Sequence, residues 1–296
     1  MSHSLFRREM AKAIIPVLII LMFPLLIGLA NDGNEIPSFY RPLVDRLSRD
    51  GFEVEFLSTL LTDDRAGLIP SVMTLSFRSR EMPEIYVKFL DPERILLAKR
   101  FLRENLKTLK NMEKTFGVER ELVVAILLVE SGFGEYTGKQ RVFPTLASAA
   151  LIDSPDNLWS NYLALREIDP ELSYEQVEGL GRRKAAWAYH ELKCFLKIIR
   201  DEKIDPLEIR GSYAGAVGMA QFIPSSYLTY GFSQKGFENW LSDKEEAIYS
   251  IANYLKLHGW KKNLPPERKR QIVWYYNHSK PYVETILLLA QKIRQK

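Results

Sequence analysis

Eight consecutive apolar residues, Leu122-Val123-Val124-Ala125-Ile126-Leu127-Leu128-Val129, leave this stretch of the chain with no polar side to show to water. A helix made of them has to be buried all round, so the rest of the fold must be assembled about it. Ser131-Gly132-Phe133-Gly134 follows at once. Glycines there supply backbone conformations that other residues resist, and they stop the helix. Glu130 is thereby placed at the end of a buried helix, half-desolvated and beside an open turn. Burial and the negative end of a helix both disfavour ionisation, so its pKa is expected to be raised, which suits a general acid working near neutral pH. An ordinary helix-terminal glutamate would have the same sequence neighbours, and raised pKa values mark sites only statistically.

Residues 211–227, GSYAGAVGMAQFIPSSY, form a glycine- and alanine-rich loop carrying hydroxyls, an amide and aromatic rings. That inventory fits a sugar. Small residues let the backbone approach a ligand, Ser212 and Gln221 can hydrogen-bond hydroxyl or acetamido groups, and tyrosines can stack on sugar faces. The competing reading is a tight turn whose glycines only permit packing between helices.

Elsewhere the patterning is helical. Ile95, Ala98, Leu102, Leu109, Met112 and Phe116 recur at helical spacing with Lys and Arg between them, predicting one long amphipathic helix over 92–116. Helical patterns also cover 119–130, 184–200, 244–257 and 281–293. Residues 39–90 hold shorter pieces interrupted by Gly51, Gly67, Pro70 and Pro83, expected to pack on the core rather than fold alone. No strand pair with a hairpin turn and no internal repeat is apparent, so the expected class is mainly α.

Composition narrows the function classes. At 296 residues and 46% hydrophobic, the chain can bury one large core or two modest ones. Its formal charge of +4 tolerates an anionic polymer, but 41 Lys and Arg interspersed with 37 Asp and Glu form no basic patch, which argues against nucleic acid. Cys194 is the only cysteine, so no intrachain disulfide is possible, and its place in a helical stretch reads as a small buried hydrophobe. At the N-terminus, Arg7, Arg8 and Lys12 precede an apolar stretch over 13–30 that ends in Gly28-Leu29-Ala30. This reads as an export signal cleaved before Asn31, with an uncleaved membrane anchor as the alternative. Either way the remainder is expected outside the cytoplasmic membrane.

Five stretches, DPERILLAKRFLRENL (91–106), FGVERELVVAILLVESGFGEYTGKQRVFPTLASAAL (116–151), KIDPLEIRGSYAGAVGMAQFIPSSY (203–227), AIYSIANYLKLHGW (247–260) and YYNHSKPYV (275–283), resemble the membrane-bound lytic murein transglycosylase B family in order and spacing. The resemblance runs, with gaps, over nearly everything after residue 38. It implies a lysozyme-like helical catalytic core with additional N-terminal and inserted helices, arranged as a leader or anchor at 1–30, an N-terminal helical part at 31–90 and the core at 91–296. It also implies cleavage of the β-1,4 bond between N-acetylmuramic acid and N-acetylglucosamine in peptidoglycan, leaving 1,6-anhydro-muramoyl ends, by a monomer without cofactor. A lysozyme needs two carboxylates flanking the scissile bond. A lytic transglycosylase can manage with one, because the muramoyl C6 hydroxyl is the internal nucleophile.

Carried over residue by residue, the resemblance makes Glu130 the catalytic acid. Ser212 would contact the N-acetyl group, and Gln221 and Asn277 would hold sugar hydroxyls or developing charge. Tyr276 and Tyr282 match aromatic and hydroxyl positions around the carboxylate. Arg183 and Lys184 occupy the place of an arginine pair that binds the stem-peptide carboxylate, with Trp187 where the family often has tyrosine; lysine keeps the charge and loses the bidentate fork. Tyr86 resembles a groove-lining tyrosine at a spacing one residue off. Two departures stand out. An insertion near 153–182 adds about two helical turns or more, and the stretch GFSQKGFEN (231–239), where some relatives carry a calcium loop, lacks the spaced aspartates that calcium requires. Two other readings stay open: a muramidase that uses water, and a catalytically silent glycan-binding protein. A poised acid argues against the second.

Overall fold

Prolines at helix starts and glycines or polar caps at helix ends divide the chain into short helices around the apolar one. A computed structural model describes residues 35–75 and 83–295. The predicted leader or anchor at 1–30 lies outside the described residues. Contacts divide the chain between Glu35 and Ile36, and every helix named below belongs to the unit that begins at Ile36. In chain order the helices are α1 (Arg41–Arg49), α2 (Val54–Leu61), α3 (Pro83–Val87), α4 (Pro92–Glu104), α5 (Leu106–Phe116), α6 (Arg120–Ser131), α7 (Val142–Ala150), α8 (Pro155–Ile168), α9 (Tyr174–Glu202), α10 (Pro224–Tyr230), α11 (Phe237–Trp240), α12 (Lys244–Leu257), α13 (Pro266–Tyr276) and α14 (Lys280–Arg294). A two-residue antiparallel ribbon, β1 (Gln140–Arg141) with β2 (Arg210–Gly211), pairs Gln140 with Gly211 and Arg141 with Arg210.

The apolar run becomes the central helix α6. Leu122 is 2% exposed and Val123 to Leu128 are fully enclosed. Helix α14 packs along α6, α12 covers α5 and part of α6, and the long α9 lies on α7. Each buried Val, Leu or Ile of α6 contributes about 1.5–3 kcal/mol, so this helix anchors the core. Tyr40, Leu43, Leu47, Leu57 and Leu60 of the N-terminal part belong to the same cluster.

Two expectations are corrected. The helix predicted over 92–116 is two helices meeting at Asn105, whose backbone leaves helical geometry (φ −109°, ψ 22°). Its side-chain amide donates to Phe101 O at 2.9 Å, the competition with the backbone ladder that makes asparagine a helix terminator. The helix predicted over 184–200 starts ten residues earlier, at Tyr174, where Ser173 and Gln176 form a reciprocal capping box.

The insertion is α8 and the first turns of α9. These build a small second core of Leu75, Ile152, Leu158, Leu172, Val177 and Ala185. Leu158 seats against Gly181, where an added methyl group would lie 2.4 Å from it. Asn161 accepts from Leu75 N at 2.6 Å and donates to Met73 O at 3.1 Å, so the insertion clamps the chain segment ahead of α3.

Candidate active site

Helix α6 ends as the glycines require. Gly132 takes the left-handed conformation (φ 58°), and the N–H groups of Gly132 and Phe133 close on Leu128 O and Leu127 O at 3.0 and 3.2 Å. Phe133, also at positive φ (63°), stacks on Phe101 at 4.1 Å between ring centroids. Glu130, two residues before this cap, keeps a partly open surface while its carboxyl sits among protein groups. The phenol of Tyr282, in the first turn of α14, donates to Glu130 Oε1 at 2.6 Å. Tyr282 is 1% exposed, and the Tyr86 ring meets its edge at 5.9 Å.

Burial pushes the Glu130 carboxyl up from 4.5 to about 7, opposed only by the Tyr282 hydrogen bond, which favours the carboxylate. No charged neighbour contributes. The phenols of Tyr282 and Tyr276 lie well above their ordinary range, from burial first and from the Glu130 charge second, so both remain hydrogen-bond donors at any working pH.

The glycine loop is tied to this helix end by Ser131. Its hydroxyl donates to Met219 O at 2.7 Å and accepts from Gly134 N at 3.0 Å, at 1% exposure. Tyr276 adds a second tie, donating to Ala220 O at 2.6 Å. Gly138 lies against the start of the loop so closely that an added methyl group would sit 2.0 Å from the Gly211 carbonyl carbon, and its φ is +96°. Sequence reasoning passed over Ser131 as a positioning residue; the legible signal was a hydroxyl at the end of an apolar helix, between Glu130 and the glycine stop.

Within the loop, Ser212 Oγ accepts from Ala214 N and Ala216 N at 3.2 and 3.1 Å, which leaves its own hydrogen available to donate outward. Gln221, at φ +50°, donates both amide hydrogens to the backbone, to Thr137 O at 3.2 Å and Gly218 O at 2.8 Å, leaving its carbonyl oxygen as acceptor. Asn277 follows the end of α13 in extended conformation, its N–H on Val273 O at 3.4 Å, and is partly exposed. Thus Glu130, Tyr282, Tyr86 and Tyr276 come together, with Ser212 and Gln221 in the loop tied to them.

Arg183, Lys184 and Trp187 stand on α9 and share no hydrogen bond with that cluster among the described residues. Arg183 is exposed and Trp187 is 38% exposed. Lys184 donates to Val72 O at 3.0 Å and Thr74 O at 3.2 Å, which leaves one of its three donors for another partner, and burial lowers its pKa. Glu135, the other carboxylate near the turn, is exposed and accepts from Tyr136 OH at 2.8 Å.

The stretch 231–239 does not fit calcium. Buried Glu246 spends Oε1 on the N–H groups of Gln234 and Lys235 at 2.9 and 3.1 Å, and Asp243 pairs with the Lys235 ammonium at 2.9 Å. Ser233 Oγ and Glu246 Oε2 are the buried side-chain oxygens there without a partner among the described residues. Two spare oxygens, one of them a hydroxyl, are far short of the six to eight that calcium takes, and Lys235 brings a competing positive charge to the loop. Among the described residues no cluster of three or more His, Cys, Asp or Glu can hold a metal ion.

Known proteins share this arrangement of helices. Residues 37–271 match the family model described as the transglycosylase SLT domain. The chain belongs to the transglycosylase SLT domain family. Among curated relatives of this SLT domain, membrane-bound lytic murein transglycosylase B of Escherichia coli (strain K12) is 35% identical over 177 residues, covering 59% of the chain and 41% of that protein. The matched part therefore spans about two fifths of the curated relative's length. The fold superposes on Escherichia coli lytic transglycosylase Slt35 in complex with bulgecin A with TM-score 0.67, 25% identity and coverage of 86% of this chain and 92% of that one. For soluble lytic transglycosylase SltB1 from Pseudomonas aeruginosa the TM-score is 0.66 and the identity 25%, with 87% and 98% of the two chains covered. The lysozyme-like, mainly α fold expected from the sequence is the fold observed.

Proposed function

We propose that this SLT domain cleaves the β-1,4 bond between N-acetylmuramic acid and N-acetylglucosamine in peptidoglycan, with Glu130 acting first as acid and then as base. The observation that carries the reading is the Glu130–Tyr282 pair: a desolvated carboxyl with pKa about 7, held by a phenol and shifted by no second carboxylate. Near neutral pH both the protonated and the ionised form of Glu130 are populated. Its proton passes to the glycosidic oxygen as the bond to the muramoyl anomeric carbon breaks. Tyr282 stabilises the carboxylate so formed. That carboxylate then takes the C6 hydroxyl proton while the C6 oxygen closes on the anomeric carbon, so the acid is restored and no water is consumed. An aligned internal hydroxyl outcompetes solvent through its effective concentration, which reaches about 10⁵ M or more in well-oriented systems.

The free groups of the loop suit the same substrate. The Ser212 hydroxyl hydrogen can donate to an acetamido carbonyl, and the Gln221 carbonyl oxygen can accept from a sugar hydroxyl or amide. Tyr86, whose ring meets Tyr282, and Asn277 would complete the sugar contacts, and Arg183, the remaining Lys184 donor and Trp187 would meet the stem peptide further along. Export fits this substrate, with the leader at 1–30 cleaved or retained as an anchor. Among the described residues no helix is long and apolar enough to cross a membrane.

The test is product analysis. Mass spectrometry of purified peptidoglycan digests should show 1,6-anhydro-muramoyl ends, and Glu130→Gln should bind glycan while turnover falls by about a hundredfold or more, the scale of lost acid–base catalysis. Reducing ends alone would make the protein a muramidase. Full activity in the glutamine variant would remove Glu130 from the mechanism.

A further inference from the structure

A cavity of about 350 Å³ opens against the glycine loop and the turn after α6, bounded by Phe133, Gly134, Thr137, Met219, Arg210 and Lys244. Its walls are the two segments that fix the candidate active site, since Met219 O holds the Ser131 hydroxyl and Thr137 O holds the Gln221 amide. The inner side is apolar, made by Met219 and by Phe133 stacked on Phe101. Its charged lining residues are Arg210, Lys244 and Glu208. The Glu208 carboxylate pairs with Arg65 at 2.5 Å, a guanidinium it shares with Asp63 and Asp205.

The two rim cations are not so engaged. Arg210 spends one guanidinium N–H on Lys139 O at 3.0 Å and pairs with no carboxylate among the described residues. Lys244, in the first turn of α12, makes no ion pair or hydrogen bond among them. Two cations with unused donors above an apolar floor, with the Thr137 and Ser242 hydroxyls alongside, complement a carboxylate carried on a short aliphatic stem. We propose that this cavity is a second substrate subsite, in which Arg210 and Lys244 hold a stem-peptide carboxylate, and that it makes the enzyme prefer peptide-bearing to bare glycan.

The proposal rests on the peptidoglycan reading and is separate from Arg183 and Lys184, which stand on α9. Its test compares kcat/KM on glycan strands with stem peptides intact and on the same strands stripped by an amidase. Lys244→Glu is the informative variant, because Lys244 holds no structural bond and a melting curve will confirm that the variant is folded. On peptide-bearing strands the expected loss is on the order of tenfold, expressed in KM, as for a charge-assisted contact at an open site. The loss should shrink as salt screens the pair, Lys244→Arg should retain the preference, and Arg210→Ala should reduce it. An equal loss on both substrates, or no loss on either, overturns the proposal while leaving the Glu130 chemistry intact. A wild-type protein inactive on both substrates overturns the peptidoglycan reading and this subsite with it.

Discussion

Replacing Glu130 by glutamine should make the protein more stable at neutral and alkaline pH, and the gain should disappear in acid. The folded-state carboxyl has pKa about 7, against 4.5 for an ordinary glutamate. Between those values the native protein binds a proton that the unfolded chain releases, so stability falls as pH rises through that window. Below the window both states are protonated and the group costs nothing. Above it the native protein carries a desolvated carboxylate that the unfolded chain would solvate. At about 1.4 kcal/mol per pH unit the full penalty is about 3 kcal/mol, and the partly open surface of Glu130 reduces it to about 2 kcal/mol. Glutamine keeps the shape and the oxygen that accepts from Tyr282, so it escapes the penalty without losing the contact. For a chain of this size the difference amounts to a melting temperature higher by about 4–8 °C at pH 8 and by little at pH 4. Differential scanning calorimetry of both proteins across pH 4–8 measures it. Equal melting temperatures at pH 8, or a gap of the same size at pH 4, would refute the claim that burial of an ionisable group is what raises this pKa.

Tyr282→Phe removes the hydrogen bond that favours the carboxylate, so the Glu130 pKa should rise further and the alkaline limb of the kcat/KM profile should move to higher pH while the maximal rate falls; a limb that stays put would separate Tyr282 from the acid. Ser131→Ala leaves Met219 O buried without its donor, which should cost about 1–3 kcal/mol in urea denaturation and lower activity by displacing the loop, whereas a variant of wild-type stability would show that the loop is held by other contacts. Chelator or added calcium should leave the melting temperature unchanged, because Glu246 Oε1 and Asp243 are occupied by backbone N–H groups and Lys235, and too few oxygens are left over; a calcium-dependent rise of several degrees would show that ligands assemble from elsewhere.

Much of the site was legible in the order of residues alone. The apolar run followed by Glu130 and two glycines carries its own burial and its own stop signal, both local properties of the chain. The glycine loop was legible for a similar reason, since closely spaced small residues mark where backbone must come close. The break at Asn105 was not legible, because the hydrophobic repeat runs straight through it and the interruption is a side-chain hydrogen bond to Phe101 O that a periodicity does not register. The extent of α9 was obscured similarly, since its first turns pack on a second core that exists only once α8 has folded against them.

The sequence by itself determined a buried helix with an acid at its end, because hydrophobic periodicity and glycine conformation act over a few neighbouring residues. Tertiary structure alone decided what surrounds that acid. Tyr282 stands 152 positions away and reaches Glu130 only because α14 packs along α6. Ser131 fixes a loop 88 positions further on through one carbonyl. It also decided that Lys184 spends two of its donors on Val72 and Thr74 carbonyls, while Lys244, with no such partner among the described residues, lines a cavity against the glycine loop. Residue type sets which protonation states and hydrogen bonds are available, but desolvation and pairing are sums over neighbours in space, and those neighbours are supplied by the packing of helices far apart in the chain.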